Sequence, residues 1–146
     1  MKHISTDEAE ALLDENVPYV DVRTVEEFED GHVPGALNVP IAHASGGKMV
    51  ENPDFLRVME AHFAKNEKFI VACKAGGRSA RAAATLAQAG FSEVLDMTAG
   101  FVGKKGTFGD TIPGWSAEGR EVSLESAREE TYEALKSEAD LENSSR

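Results

Sequence analysis

Two apolar periods alternate along this chain. Behind Ser5-Thr6-Asp7-Glu8, which has the form of a capping box, Ala9, Leu12 and Leu13 share one face at helical spacing and predict a short helix over 6–14. Val17-Pro18-Tyr19-Val20-Asp21-Val22 then reads as a buried strand. Thr24-Val25-Glu26-Glu27 is a second capping box, opening a short helix toward Asp30. Gly31-His32-Val33-Pro34-Gly35 turns the chain into a brief strand, Ala36-Leu37-Asn38-Val39, which Pro40 stops. Asn52-Pro53 supplies a cap and first-turn pair for a helix carrying Phe55, Met59 and Phe63. A strand over 68–72, a helix over 80–89 ended by Gly90 and a strand over 92–97 follow. Strands alternating with helices predict an α/β fold, a central parallel sheet with helices on both faces. Ligands of such sheets bind beyond the carboxyl ends of the strands. Cys73 falls at such an end.

Beyond Met97 the pattern weakens. Residues 98–115 contain five glycines (100, 103, 106, 109 and 114) and read as a long loop on the same edge as Cys73. From Leu124 to Ala139 the chain is again helical in pattern, but Leu124, Ala127, Thr131 and Leu135 give a thin apolar stripe, suited to weak docking or self-association. The expected organisation is one domain over 1–122 and an acidic, helical extension over 123–146.

Composition narrows the classes. At 146 residues, 41% hydrophobic and 28% charged, the chain is an ordinary globular domain with a core of its own. A single cysteine forms no internal disulfide. No long apolar run predicts a membrane span, and the first residues lack the apolar stretch of a secretory signal, so a cytoplasmic protein is expected. A net charge of -11 disfavours nucleic acid and anionic membranes as partners. The charge is uneven, however. Residues 65–105 hold seven Lys/Arg against three acids, a balance of +4, which leaves -15 on the remainder. A basic zone around the lone cysteine suits a small anionic substrate.

The candidate chemistry lies in Cys73-Lys74-Ala75-Gly76-Gly77-Arg78-Ser79. A thiol attacks as its thiolate. Helix amides, loop amides from Ala75 to Ser79 and the charges of Lys74, Arg78 and Arg81 all favour an anion there. Gly76 and Gly77 let the backbone curl tightly. The spacing is C-x4-R. Cysteine-dependent phosphatases and related arsenate reductases use C-x5-R, so this loop is a smaller cradle, better matched to an outer sulfur on the cysteine than to a tetrahedral oxyanion. A short-loop phosphatase or arsenate reductase stays as an alternative, as does a noncatalytic module that binds a partner or carries a persulfide.

These residues resemble the single-domain rhodaneses, which are thiosulfate or persulfide sulfurtransferases. Besides CKAGGRS, the resemblance rests on Asp21-Val22-Arg23 with Glu27-Phe28, on Gly31-His32-Val33-Pro34-Gly35-Ala36, on Asn38-Val39-Pro40 and on Trp115-Ser116-Ala117-Glu118-Gly119. It spans roughly residues 5–122 and implies a rhodanese-like fold. It also implies a Cys73 persulfide as the covalent intermediate, with no cofactor or metal. Sulfur would pass from a small anionic donor to a thiol, a protein or another thiophilic acceptor. The amides of residues 74–78 would hold the charged sulfur, Arg78 would fix the loop and bind the donor, Lys74 would act in donor electrostatics, and Ser79 would cap the helix or hydrogen-bond within the cradle. The stretch between Gly100 and Trp115 is longer than the compact family pattern, and Lys104 and Lys105 lie in it. It is expected to fold over the mouth of the site and act on the acceptor. Asp21 and Arg23 read as a structural pair, His32 as a backbone-bonded turn residue and Trp115 as a core anchor. His3, His32, His43 and His62 lack metal-ligand spacing.

Overall fold

The computed structural model describes residues 2–144, the side chains of residues 143 and 144 excepted; Met1 and the last two residues of the predicted extension, Ser145 and Arg146, lie outside the described residues. In chain order the elements are β1 (Lys2–Ile4), α1 (Thr6–Asp14), β2 (Tyr19–Asp21), α2 (Val25–Glu29), β3 (Leu37–Asn38), β4 (Ala42–Ser45), β5 (Lys48–Glu51), α3 (Phe55–His62), β6 (Phe69–Ala72), α4 (Gly77–Gln88), β7 (Val94–Met97), β8 (Gly103–Lys105), β9 (Thr111–Pro113) and α5 (Tyr132–Ser144). Five strands form one sheet in the order β1-β7-β6-β2-β3, with every pair parallel. The expected α/β architecture is present.

Strand β6 lies in the middle of the sheet and is buried at all four positions. Its side chains alternate between faces, as a strand's must. Phe69 and Val71 join one cluster with Phe55, Val58 and Met59 of α3, Ala82, Ala83 and Leu86 of α4, and Tyr132, Leu135 and Ala139 of α5. Ile70 and Ala72 join the other, with Ala9 of α1, Phe28 and Trp115. A strand covered on both faces has no polar side, which explains the unbroken apolar run Phe69-Ile70-Val71-Ala72. Cys73 continues the Phe69–Val71 parity and enters the first cluster.

Both predicted capping boxes are formed. The Ser5 hydroxyl accepts from the Glu8 amide at 3.1 Å while the Glu8 carboxylate accepts from the Ser5 amide at 3.1 Å. Thr24 and Glu27 repeat the arrangement at 3.2 and 3.1 Å. Other local expectations shift. Helix α3 starts at Phe55, with Asp54 as its N-cap. Asn52 accepts from the Asp54 amide at 3.0 Å and donates to the Pro40 carbonyl and the Tyr132 hydroxyl, so it ties together three segments instead of capping a helix directly. Helix α4 starts at Gly77, ahead of the predicted Ala80. The glycine-rich stretch after Met97 is not an open loop: β8 and β9 pair as an antiparallel hairpin, with Lys104 opposite Ile112. A second hairpin, β4–β5, covers a segment for which the pattern gave no element. The C-terminal helix begins at Tyr132; Leu124, placed on the predicted apolar stripe, is 74% exposed, whereas Tyr132, Leu135 and Ala139 are buried against α3.

Candidate functional site

Cys73 leaves the carboxyl end of the central strand, and its neighbours are held by backbone before any side chain acts. The Phe101 amide donates to the Cys73 carbonyl at 2.8 Å, and the Val102 and Gly103 amides donate to the Lys74 carbonyl at 3.0 and 3.3 Å. The base of the β8–β9 hairpin is therefore fastened to the start of the cysteine loop. This approach requires Gly100: its φ is +74°, and a Cβ there would lie 2.5 Å from the Lys74 carbonyl oxygen.

Gly76 is the pivot of the loop. Its amide donates to Cys73 Sγ at 3.1 Å. It is also the N-cap of α4, with φ of +97°, and a Cβ on it would meet the Thr98 carbonyl oxygen at 2.5 Å. No side chain caps α4, so the amides of its first turn, at Gly77, Arg78 and Ser79, stay available to an anion beside the sulfur. Lys74, Ala75 and Gly77 are exposed, Gly76 and Arg78 half-buried, and Ser79 buried. Cys73 itself is only 2% exposed, so an attacking donor must reach the sulfur along the mouth of this loop.

Behind the loop, the Ser79 hydroxyl donates to Asp96 Oδ1 at 2.8 Å and lies 3.2 Å from the Gly76 carbonyl oxygen. Burial pushes the Asp96 carboxyl above its usual range, partly offset by the Ser79 hydrogen bond and by the charges of His3 and Lys104. Ser79 thus anchors the first turn of α4 to β7, a partner the sequence did not reveal.

Arg78 fixes the loop through a carboxylate from another element. Its guanidinium grips Glu27 through both nitrogens, Nη1 to Oε1 at 2.6 Å and Nη2 to Oε2 at 3.0 Å. Burial opposes charge on Glu27, but the hydrogen bonds from Arg78 and from the Thr24 amide and hydroxyl outweigh it and hold the carboxyl at about 2. The Glu27 hydrogen bond likewise raises the Arg78 guanidinium above its ordinary value. Arg78 braces the loop against α2, and its charge is already matched there. Arg81 pairs with Glu51 and Lys65 with Glu60, so the basic zone counted along the sequence is much reduced in space.

The supporting residues fall where the sequence placed them. Arg23 and Asp21 form a buried pair at 2.7 Å; Arg23 also donates to the Gly31 carbonyl at 2.7 Å and lies 4.3 Å from the Phe101 ring centre. Trp115 is buried and donates to the Glu121 carbonyl at 2.7 Å. Both His32 ring nitrogens face backbone carbonyls, of Phe28 and Glu125.

Residues 5–106 match the family model described as "Rhodanese-like domain". The chain belongs to the rhodanese-like family. It is 43% identical over 98 residues to Thiosulfate sulfurtransferase 16, chloroplastic, of Arabidopsis thaliana, a match covering 67% of this chain and 82% of that protein. It is 40% identical over 94 residues to Rhodanese-like domain-containing protein 15, chloroplastic, of the same plant, covering 64% of this chain and only 52% of that one. For several curated relatives, then, the rhodanese-like match spans about half their length. In structure the chain resembles Rv0390 from M. tuberculosis, with a TM-score of 0.70 and 24% identity over 86% of this chain and 98% of that one, which shows the shared rhodanese fold. Among the described residues, no helix is long and apolar enough to cross a membrane.

Proposed function

We propose that this rhodanese-like protein is a sulfurtransferase in which Cys73 carries the sulfur as a persulfide. The Cys73 thiolate attacks the outer sulfur of thiosulfate or a persulfide donor. A Cys73 S–S bond forms, the donor's S–S bond breaks, and sulfite or a thiolate leaves with the electron pair. An acceptor, cyanide, a thiol or a protein thiolate, then attacks the outer sulfur; the new bond to the acceptor forms as the Cys73 S–S bond breaks and the thiolate returns. This is covalent catalysis in two half-reactions. The observation that carries the reading is the Gly76 amide on Cys73 Sγ at 3.1 Å, at the head of a helix whose first amides no side chain occupies. Those donors stabilise negative charge on the outer sulfur without a general base. Ala75 and Gly77 shape the cradle, Lys74 adds an exposed charge at its mouth, Arg78 holds its shape through Glu27, and Ser79 anchors it to Asp96. The reading requires Cys73 to stay reduced between turnovers, which fits a reducing compartment such as the cytoplasm.

Intact-protein mass spectrometry after incubation with thiosulfate tests this. The expected result is a gain of one sulfur atom, absent in Cys73→Ala and reversed by cyanide with release of thiocyanate. No sulfur on the native protein from either thiosulfate or an organic persulfide would sink the proposal. The near-complete burial of Cys73 favours, as a second reading, a persulfide carrier that serves a protein acceptor; rapid loading with slow turnover on small thiols would identify it.

A further inference from the structure

The reaction begins with an anionic donor, and the residue expected to bind it, Arg78, is engaged elsewhere. Of the seven cations in residues 65–105, Lys65, Arg78 and Arg81 have carboxylate partners, and Lys68 lies at the opposite, amino end of β6. Lys74, Lys104 and Lys105 remain, and among the described residues none has a carboxylate within ion-pair distance. Lys74 is solvent-exposed and Lys105 is exposed on the neighbouring hairpin position. Lys104 alone is half-buried, and its Cδ lies 3.8 Å from where a Gly76 side chain would begin. Its stem therefore passes across the glycine whose amide faces Cys73 Sγ. The hairpin that carries it is fixed to Cys73 and Lys74 by three backbone hydrogen bonds, so the residue sits on a support fastened at its base and not on a free loop. Opposite it in the hairpin stands Ile112, which brings no competing charge.

We infer that Lys104, supplied by the β8–β9 hairpin, is the cation that binds the anionic sulfur donor at the mouth of the Cys73 loop. The assignment rests on the sulfurtransferase reading and adds a donor-specificity residue from outside the cysteine loop. The donor class is a small dianion bearing a sulfane sulfur, with thiosulfate as the probe. Asp96, to which Ser79 is anchored, also feels the Lys104 charge, which helps favour its ionised form.

Steady-state kinetics with thiosulfate and cyanide test the assignment on the full chain. Lys104→Met removes the charge-assisted hydrogen bond to the donor and raises KM for thiosulfate about tenfold with kcat nearly unchanged. Lys104→Arg restores most of the affinity. The steep rise of KM with ionic strength in the native protein flattens in Lys104→Met. Lys105→Met, on the outward neighbour, stays within about twofold of the native KM. Loading from an organic hydropersulfide in its neutral form, RSSH, is the control for folding: Cys73 takes the outer sulfur as a thiolate leaves, and Lys104→Met loads from it at the native rate. An unchanged thiosulfate KM in Lys104→Met overturns the assignment. So does an equal shift in Lys105→Met, or an equal loss with the uncharged donor. Failure of the native protein to accept sulfur at all points instead to the sulfurtransferase reading, so the two failures are distinct.

Discussion

At the scale of single residues, the site depends on a position that bears no functional group. Gly76 points its amide at the sulfur only because its backbone takes φ of +97° and because nothing projects toward Thr98. Gly76→Ala brings a methyl to 2.5 Å from a backbone oxygen in a conformation that side chains rarely adopt, so the loop must move. The expected outcome is a persulfide-loading rate lowered about 100-fold, the size seen when an oxyanion donor is lost, while the fold persists. Stopped-flow loading together with far-ultraviolet circular dichroism measures both; loading at the native rate contradicts the role given to this amide. Cys73, Gly76 and Gly77 were legible from their order behind an apolar strand. The partners of Ser79 and Arg78 were not: Asp96 is 17 residues from Ser79 and Glu27 is 51 from Arg78. Nothing in local sequence specifies which distant carboxylate a side chain will meet.

At the scale of elements, the strands and capped helices follow from period and capping chemistry, and the departures share a cause. The 103–113 hairpin is glycine-rich and mostly polar, with no clean alternation to mark it. It exists because its base bonds to the backbone of Cys73 and Lys74, and because Gly100 and Gly114 permit close approach. The apolar stripe legible in the C-terminal sequence packs only in part: Leu135 is buried, whereas Leu124 is exposed. The buried residues are Tyr132, Leu135 and Ala139, a short apolar face completed by α3, and His62 adds a hydrogen bond to the Leu135 carbonyl at 2.8 Å. Leu135→Ala should therefore cost about 2–4 kcal/mol, the range for a buried leucine, and not the few tenths of a surface change. Urea denaturation followed by circular dichroism reads the difference, and a loss below about 0.5 kcal/mol would show that this helix contributes little to the core.

At the scale of the molecule, the Glu27–Arg78 pair joins the first capped turn after β2 to the head of the cysteine loop, two segments that folding alone brings together. The Glu27 carboxyl is held at about 2 against an ordinary 4.5, so the folded state prefers it ionised. Its contribution is fully present above the ordinary value and is lost as pH falls from about 4.5 toward 2. Glu27→Gln should lower stability by about 1–3 kcal/mol at neutral pH, and the gap to the native protein should narrow as the solution is acidified through that window. Denaturation curves of both proteins between about pH 7 and about pH 3 check this; a gap that stays constant would mean that Glu27 is not ionised against Arg78. The same long-range pairing changes the charge reading of the site. Counted along the chain, the cysteine region is basic; in space, Glu27 and Glu51 come from other segments and match two of its arginines. The sequence by itself determined the alternation of strands and helices, both capping boxes and the placement of a lone thiol where a buried strand meets a small-residue turn, because each depends on neighbours within a few residues. Only the tertiary structure decided which cations stay unmatched, that the glycine-rich stretch is a hairpin fastened to the loop, and which part of the C-terminal apolar stripe is buried, because those depend on groups that meet through packing across the sheet's carboxyl edge and its covered face.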